Sequence, residues 1–164
     1  MAGGDSMVDV CELFCVHLPS LFYLAYMIAG SMERAETILL RAVDLTKKSP
    51  PSSPAYLYPM ARRCVIKAAI ENFAHEIRQS AAAESHDAAA INGETLPALV
   101  SGKTELSADA LLSILWKMDV LTRFVLIMRV FERYYGADTA LLLGQSSELV
   151  SRALENGLEE LCQA

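Results

Sequence analysis

The stretch that decides the fold is residues 118–161, which read MDVLTRFVLIMRVFERYYGADTALLLGQSSELVSRALENGLEEL. Apolar residues recur at helical spacing over 120–133 and again over 137–143. A Gly-Gln-Ser turn follows, and a last helix is predicted to begin near Ser146 or Ser147. A helix, a tight glycine turn and a second helix form the helix-turn-helix pattern, whose second helix usually enters a DNA major groove.

The charge of the same stretch argues against strong contact with DNA. The predicted recognition helix, residues 147–161, carries four glutamates and one base, Arg152. Residues 118–164 hold four basic and seven acidic residues, and four minus seven gives a net charge of −3. Few counterions would be released from DNA on binding, so we expect weak affinity for generic duplex.

This stretch resembles the C-terminal DNA-binding region of bacterial RNA polymerase sigma factors of the extracytoplasmic-function group. In that family a Leu-Pro-x-x-x-Arg opening precedes an apolar helix that ends in Glu. A small-residue helix, a glycine turn and a Thr-Val-Lys-Ser-Arg recognition stretch then follow. The resemblance implies that Ser147, Ser151 and Arg152 contact DNA, although residues 155–160 are acidic where the family is basic. The matching positions are Met118, Asp119, Arg123, Glu132, Ala140, Leu141, Leu142, Gly144, Ser146, Leu149, Val150, Ser151, Arg152 and Ala153.

A second stretch, residues 13–45, resembles the sigma region that grips the polymerase clamp. Both have an apolar helix with a break in the middle and a Gly-Ser-type turn. In the family a helix with the pattern Ala-Glu-Asp-hydrophobic-x-Gln-Glu then follows. The resemblance implies that Glu36, Thr37, Leu40 and Arg41 form the surface that docks on RNA polymerase core. Thr37, Leu40 and Arg41 stand where the family has Asp, Gln and Glu. The matching positions are Pro19, Ala25, Gly30, Ala35, Glu36 and Ile38.

One basic cluster, Arg62, Arg63 and Lys67, lies between these stretches. Tyr56 and Tyr58 stand one turn before it. In the sigma resemblance this helix melts and holds the upstream promoter element, and aromatic residues stack on the bases. The alternative is a solvated basic stripe on a helix that packs by its apolar side.

The chain is predicted to be all-α, with two small sigma-like domains at 1–80 and 108–164 and a linker at 81–107. The expected helices span 8–18, 20–29, 31–46, 55–80 and 107–116, besides those of the last third. Pro19 should end the first, and Ser20, Ser31 and Ser107 should cap later ones. No strand pattern or repeat of solenoid period occurs.

The composition alone does not decide which contacts bury the apolar residues. Hydrophobic residues make up 53% of the chain and the mean hydropathy is +0.28, both high for a soluble protein of this size. The surplus indicates either faces buried against another chain or a generously packed core. Leu40, in place of a docking glutamine, is expected to be covered by the rest of the chain or by a second subunit. A homodimer is the preferred form.

No catalytic, metal or cofactor site is predicted. The chain has no P-loop, GxGxxG, HExxH or GxSxG motif, so an enzyme is the least favoured class. Cys11 and Cys15 are read as buried structural thiols rather than metal ligands, and such thiols suit a reducing cytoplasm. The apolar stretch 13–30 contains Pro19 and has no basic flank before Arg34, so it is read as a kinked helix pair and not as a membrane span.

Two functions therefore remain. The first is a sigma-like transcription factor that docks on polymerase core and contacts promoter DNA. The second is a sigma-derived interaction module that has lost DNA and core binding and binds another protein or itself.

Overall fold

The computed structural model describes residues 9–49, 53–87 and 107–163. Throughout these ranges the regular structure is helical and no strand is present, which confirms the all-α prediction. The chain divides into two compact units, Met1–Asn72 and Phe73–Ala164.

The first unit is built from four helices. They are α1 (Val10–Val16), α2 (Leu18–Ala29), α3 (Met32–Lys48) and α4 (Leu57–Asn72), the last preceded by a 3₁₀ turn at Pro54–Tyr56. Helix α3 packs against both α2 and α4. Their contacts bury an aliphatic core of Leu21, Leu24, Ile28, Ile38, Leu57 and Ile66.

The break between α1 and α2 differs from the prediction. Pro19 does not end a helix; it lies in the first turn of α2, after α1 has ended at Val16. A proline in the first turn costs no hydrogen bond, because the N–H it lacks would have no intrahelical partner there. The N-cap position of α2 is occupied by His17 and not by Ser20, and the His17 side chain makes no capping hydrogen bond.

The start of α3 follows the prediction closely. Gly30 ends α2 in the left-handed conformation, with φ of 72°. Ser31 then accepts a hydrogen bond from the Arg34 backbone N–H at 3.4 Å, which caps α3 as expected.

Within the described residues no single helix is long and apolar enough to cross a membrane. Helices α1 and α2 meet the length and composition only as a pair, and they are bent by 78°.

The second unit contains α5 (Ala74–Asp87), α6 (Ala108–Lys117), α7 (Val120–Leu126), α8 (Gly136–Leu143) and α9 (Ser147–Cys162). Helix α7 is central, because it packs against α5 and α9 and every residue from 121 to 128 is buried. Phe73 and Phe124 meet edge to face with their ring centroids 5.7 Å apart.

The predicted helix at 55–80 is two helices in the structure. Helix α4 ends at Asn72 and α5 begins at Ala74, while Phe73 is 1% exposed in the core of the second unit. Helix α5 then runs to Asp87, seven residues into the predicted linker, because alanine favours helix. Linker residues 88–106 lie outside the described part of the chain.

The predicted helix at 120–133 is α-helical only in its first half. After Leu126 the chain forms a π-helical turn, Ile127–Phe131, in which the Glu132 N–H donates to the Ile127 carbonyl at 3.0 Å. Arg133 follows with φ of 57° and stops the helix. Helix α8 and helix α9 lie within one residue of the predicted bounds.

Candidate interaction surfaces

The residues expected to dock on a partner lie together on the outer face of α3. All four residues are exposed: Glu36, Thr37, Leu40 and Arg41. The buried face of the helix is formed by the intervening and flanking residues Ala35, Ile38, Leu39 and Ala42. The Arg41 guanidinium donates to Glu71 Oε2 at 2.8 Å, which links this face to α4. That hydrogen bond and the charge of Glu71 raise the pKa of Arg41, so the group stays cationic.

Leu40 is 72% exposed on this face. The first unit therefore leaves Leu40 uncovered, and its cover by the second half of the chain or by a second subunit stays a prediction. Glu36 and Asp44 lie four residues to either side on the same helix, so a polar surface surrounds the leucine. We call the exposed set Glu36, Thr37, Leu40 and Arg41 the α3 face.

The basic cluster on α4 is split between two roles. The Arg62 guanidinium donates to Ser20 Oγ at 3.0 Å and to the Tyr58 hydroxyl at 2.9 Å, and it lies over the Tyr58 ring. The two hydroxyls are 2.6 Å apart, and the His17 ring lies 4.3 Å from the Tyr58 ring. Arg62 and Tyr58 thus join α2 to α4 within the unit.

Arg63 and Lys67 remain exposed, one helical turn apart on the outer side of α4. Tyr56, just before the helix, is 67% exposed. Of the predicted nucleic-acid residues in this unit, these two cations and one aromatic ring are accessible to a ligand.

Helix α9 separates the residues that were expected to contact DNA together. Ser147 and Ser151 are exposed, and the Ser151 hydroxyl donates to the Ser147 carbonyl at 3.0 Å. Arg152 points to a different side of the helix: it is half-buried, and its Nε is shielded from water without a hydrogen-bond partner. The exposed charged side chains of α9 are the glutamates at positions 148, 155, 159 and 160, and no base of this helix is in the exposed class.

A polar cluster inside the second unit is centred on Thr122. Glu84 Oε1 accepts a hydrogen bond from the buried Thr122 hydroxyl at 3.3 Å, and Asp119 Oδ1 accepts from the Thr122 N–H at 3.1 Å. Burial, followed by the charge of Asp119, raises the pKa of Glu84 above its ordinary value of 4.5. The hydrogen bond from Thr122 and the charge of Arg152 oppose this rise.

The net charge of the protein comes from one unit. Residues 1–72 contain seven acidic and seven basic side chains, which cancel. Residues 73–164 contain thirteen acidic and seven basic ones, and seven minus thirteen gives the whole net charge of −6.

The thiols are more accessible than the sequence predicted. Cys11, Cys15 and Cys162 are exposed and only Cys64 is half-buried. Helix α1 buries Val10 and Phe14, so residues one position further round the helix face outward. In the described ranges no group of three or more His, Cys, Asp or Glu side chains could hold a metal ion.

Sequence reasoning missed Glu84 and the exposed pair Leu141 and Leu142. Glu84 lay in the predicted linker, so no helical register was available to place it against α7 and α9. The leucines were assigned to the apolar pattern of α8, yet they are 81% and 42% exposed. The buried residues of α8 are Thr139, Ala140 and Leu143, so Leu141 and Leu142 lie on the outward side of this helix.

No protein-family model, curated protein or solved structure matches this chain. The likeness to sigma factors rests on the residues quoted above.

Proposed function

We propose that this chain is a sigma-factor-like regulatory protein that works by docking on another protein, with RNA polymerase core as the partner that the resemblance implies. The observation that carries the proposal is the α3 face, where four residues at the family's docking positions share one exposed surface. Covering a leucine completely contributes about 1.5–3 kcal/mol, so Leu40 would be the apolar centre of that contact. Arg41, Glu36 and Thr37 would supply the polar rim.

The charge of α9 supports a role in which its outer side does not read duplex DNA. A recognition helix brings cations to the phosphates, and each neutralised phosphate adds to affinity through counterion release. Helix α9 offers four exposed glutamates instead, and its one base, Arg152, is half-buried. Protein contact is the function that remains for a helix-turn-helix-like segment of this charge.

Size-exclusion chromatography with light scattering, with and without core polymerase, tests the proposal. We expect the wild-type chain to elute with core as a complex, and we expect Leu40→Glu to abolish that complex. Met32→Glu is the matched control, since Met32 is 60% exposed on the same helix, outside the α3 face, and the added charge is identical. It should leave the complex intact.

Other elution profiles contradict the polymerase partner. If the wild-type protein is a dimer that does not bind core polymerase, and Leu40→Glu converts it to a monomer, the protein is the self-associating interaction module instead. A wild-type monomer that does not bind core polymerase would contradict docking through the α3 face altogether.

A second candidate function rests on Arg63, Lys67 and Tyr56, which are exposed at one end and along one side of α4. Cations that track a backbone and an aromatic ring on which a base stacks are the ordinary means of binding single strands. If this is a promoter contact, Arg63→Ala with Lys67→Ala should weaken binding of a fluorescent single-stranded oligonucleotide and lower its salt dependence. Neutralising Lys47 and Lys48 instead, two exposed cations at the end of α3, is the matched control.

A further inference from the structure

The second unit carries an unpartnered surface of its own, made by α8 and α9. Leu141 and Leu142 are exposed immediately before the turn at Gly144, and the acidic side of α9 begins immediately after it. We propose that this surface binds a basic amphipathic helix of a protein partner. The proposal goes beyond docking through the α3 face, because it uses a different unit and stands whether or not polymerase is bound.

The acidic half of the surface has a regular spacing. Glu148, Glu155 and Glu159 are seven and four residues apart, so they fall within roughly 40° of one another around α9. At 1.5 Å per residue the stripe is about 16 Å long. All three side chains are exposed. Arg152, four residues after Glu148 and three before Glu155, borders the stripe but is half-buried, so the exposed charges of the stripe are acidic. Lysines or arginines at similar spacing on a neighbouring helix would meet it.

The apolar half lies on α8. That helix directs Thr139, Ala140 and Leu143 inward, which leaves two consecutive leucines on its outer side. The turn itself is held by backbone bonds, with the Gln145 N–H donating to the Ala140 carbonyl at 2.9 Å. The leucines and Glu148 are therefore presented by one ordered segment.

Charge complementarity decides the kind of occupant. The unit carries the entire net charge of −6, so phosphate polymers and anionic lipid surfaces are repelled. A partner must bring cations for the glutamates and an apolar side chain for Leu141 and Leu142. A helix with a basic and an apolar side satisfies both requirements at once.

The probe is a synthetic amphipathic peptide of leucine and lysine, about 18 residues and roughly 27 Å long when helical. Its binding to the full chain is measured by fluorescence anisotropy at low and at physiological salt. We expect neutralising Glu148, Glu155 and Glu159 to glutamine to raise Kd at least about tenfold and to flatten the salt dependence. Leu141→Ser should raise Kd by about the same factor at both salt concentrations.

Neutralising three exposed carboxylates of the first unit, Glu12, Glu33 and Asp44, is the matched charge control and should leave Kd unchanged. Equal binding of a scrambled peptide of the same composition would overturn the proposal, because it would show attraction to charge alone. So would unchanged binding by the Glu148, Glu155 and Glu159 variant. If that variant instead separates a dimer of the protein in the absence of peptide, a second copy occupies the surface and the proposal is equally overturned.

Discussion

Gly157 of α9 packs against side chains of α7, and replacing it tests the packing of the second unit. A Cβ at this position would lie 3.0 Å from Thr122 Cγ2 and 3.4 Å from Leu126 Cδ1. Alanine in a helix interior is about 1 kcal/mol more favourable than glycine. Overpacking in a filled core costs about 1–3 kcal/mol. The two effects have opposite signs, so the outcome depends on whether Thr122 can move.

Thr122 has little freedom to move. It is fully buried, its hydroxyl donates to Glu84, and its N–H donates to Asp119. We therefore expect overpacking to exceed the helix preference, so that Gly157→Ala lowers the free energy of unfolding by about 1 kcal/mol.

A double-mutant cycle in urea isolates the contact. Thr122→Ser removes Cγ2 and keeps the hydroxyl, so in that background Gly157→Ala should stabilise the protein by about 1 kcal/mol. The sign of the glycine substitution should thus reverse. If Gly157→Ala stabilises both backgrounds equally, the two helices are not in the close contact described here and the reasoning fails.

Two further predictions concern polar groups. The raised pKa of Glu84 means that the folded protein binds the proton of this carboxyl group more tightly than the unfolded chain does. This tighter binding stabilises the folded protein below the ordinary pKa, and the stabilisation is lost as pH rises through the raised pKa. Glu84→Gln should therefore gain in melting temperature relative to wild type between pH 4 and pH 8, and a constant difference would contradict the raised pKa. Arg62→Ala should cost about 1–3 kcal/mol of stability through the loss of its hydrogen bonds to Ser20 and Tyr58, whereas Arg63→Ala, at its exposed neighbour, should stay within about 0.5 kcal/mol. Equal effects in the two variants would contradict the structural role of Arg62.

Local signals predicted the helices well where a cap or a glycine fixed the boundary. Ser31 and Ser107 accept the expected hydrogen bond from the first turn of a helix, and Ser146, at the predicted start of α9, accepts one as well. Gly144 takes the left-handed conformation that ends α8. These boundaries depend on a few neighbouring atoms, and the sequence contains them all.

The failures come from interactions between distant residues. Phe73 leaves a continuous helical pattern because its ring packs on Phe124, fifty-one residues away. Arg152 was interpreted by its charge alone, whereas the packing of α9 against α7 leaves it half-buried. Leu40 was recognised as unusual from the resemblance, but only the structure gives its exposure.

Titration of a labelled random-sequence DNA duplex with the isolated protein, at physiological salt, tests most directly the claim that α9 does not read DNA. We predict a dissociation constant no tighter than the nonspecific range of about 10⁻⁴–10⁻⁶ M, with a shallow dependence on salt. We also predict little change in affinity on Arg152→Ala. Submicromolar binding that falls steeply with salt and is lost on Arg152→Ala would contradict the account, because it would make α9 a working recognition helix.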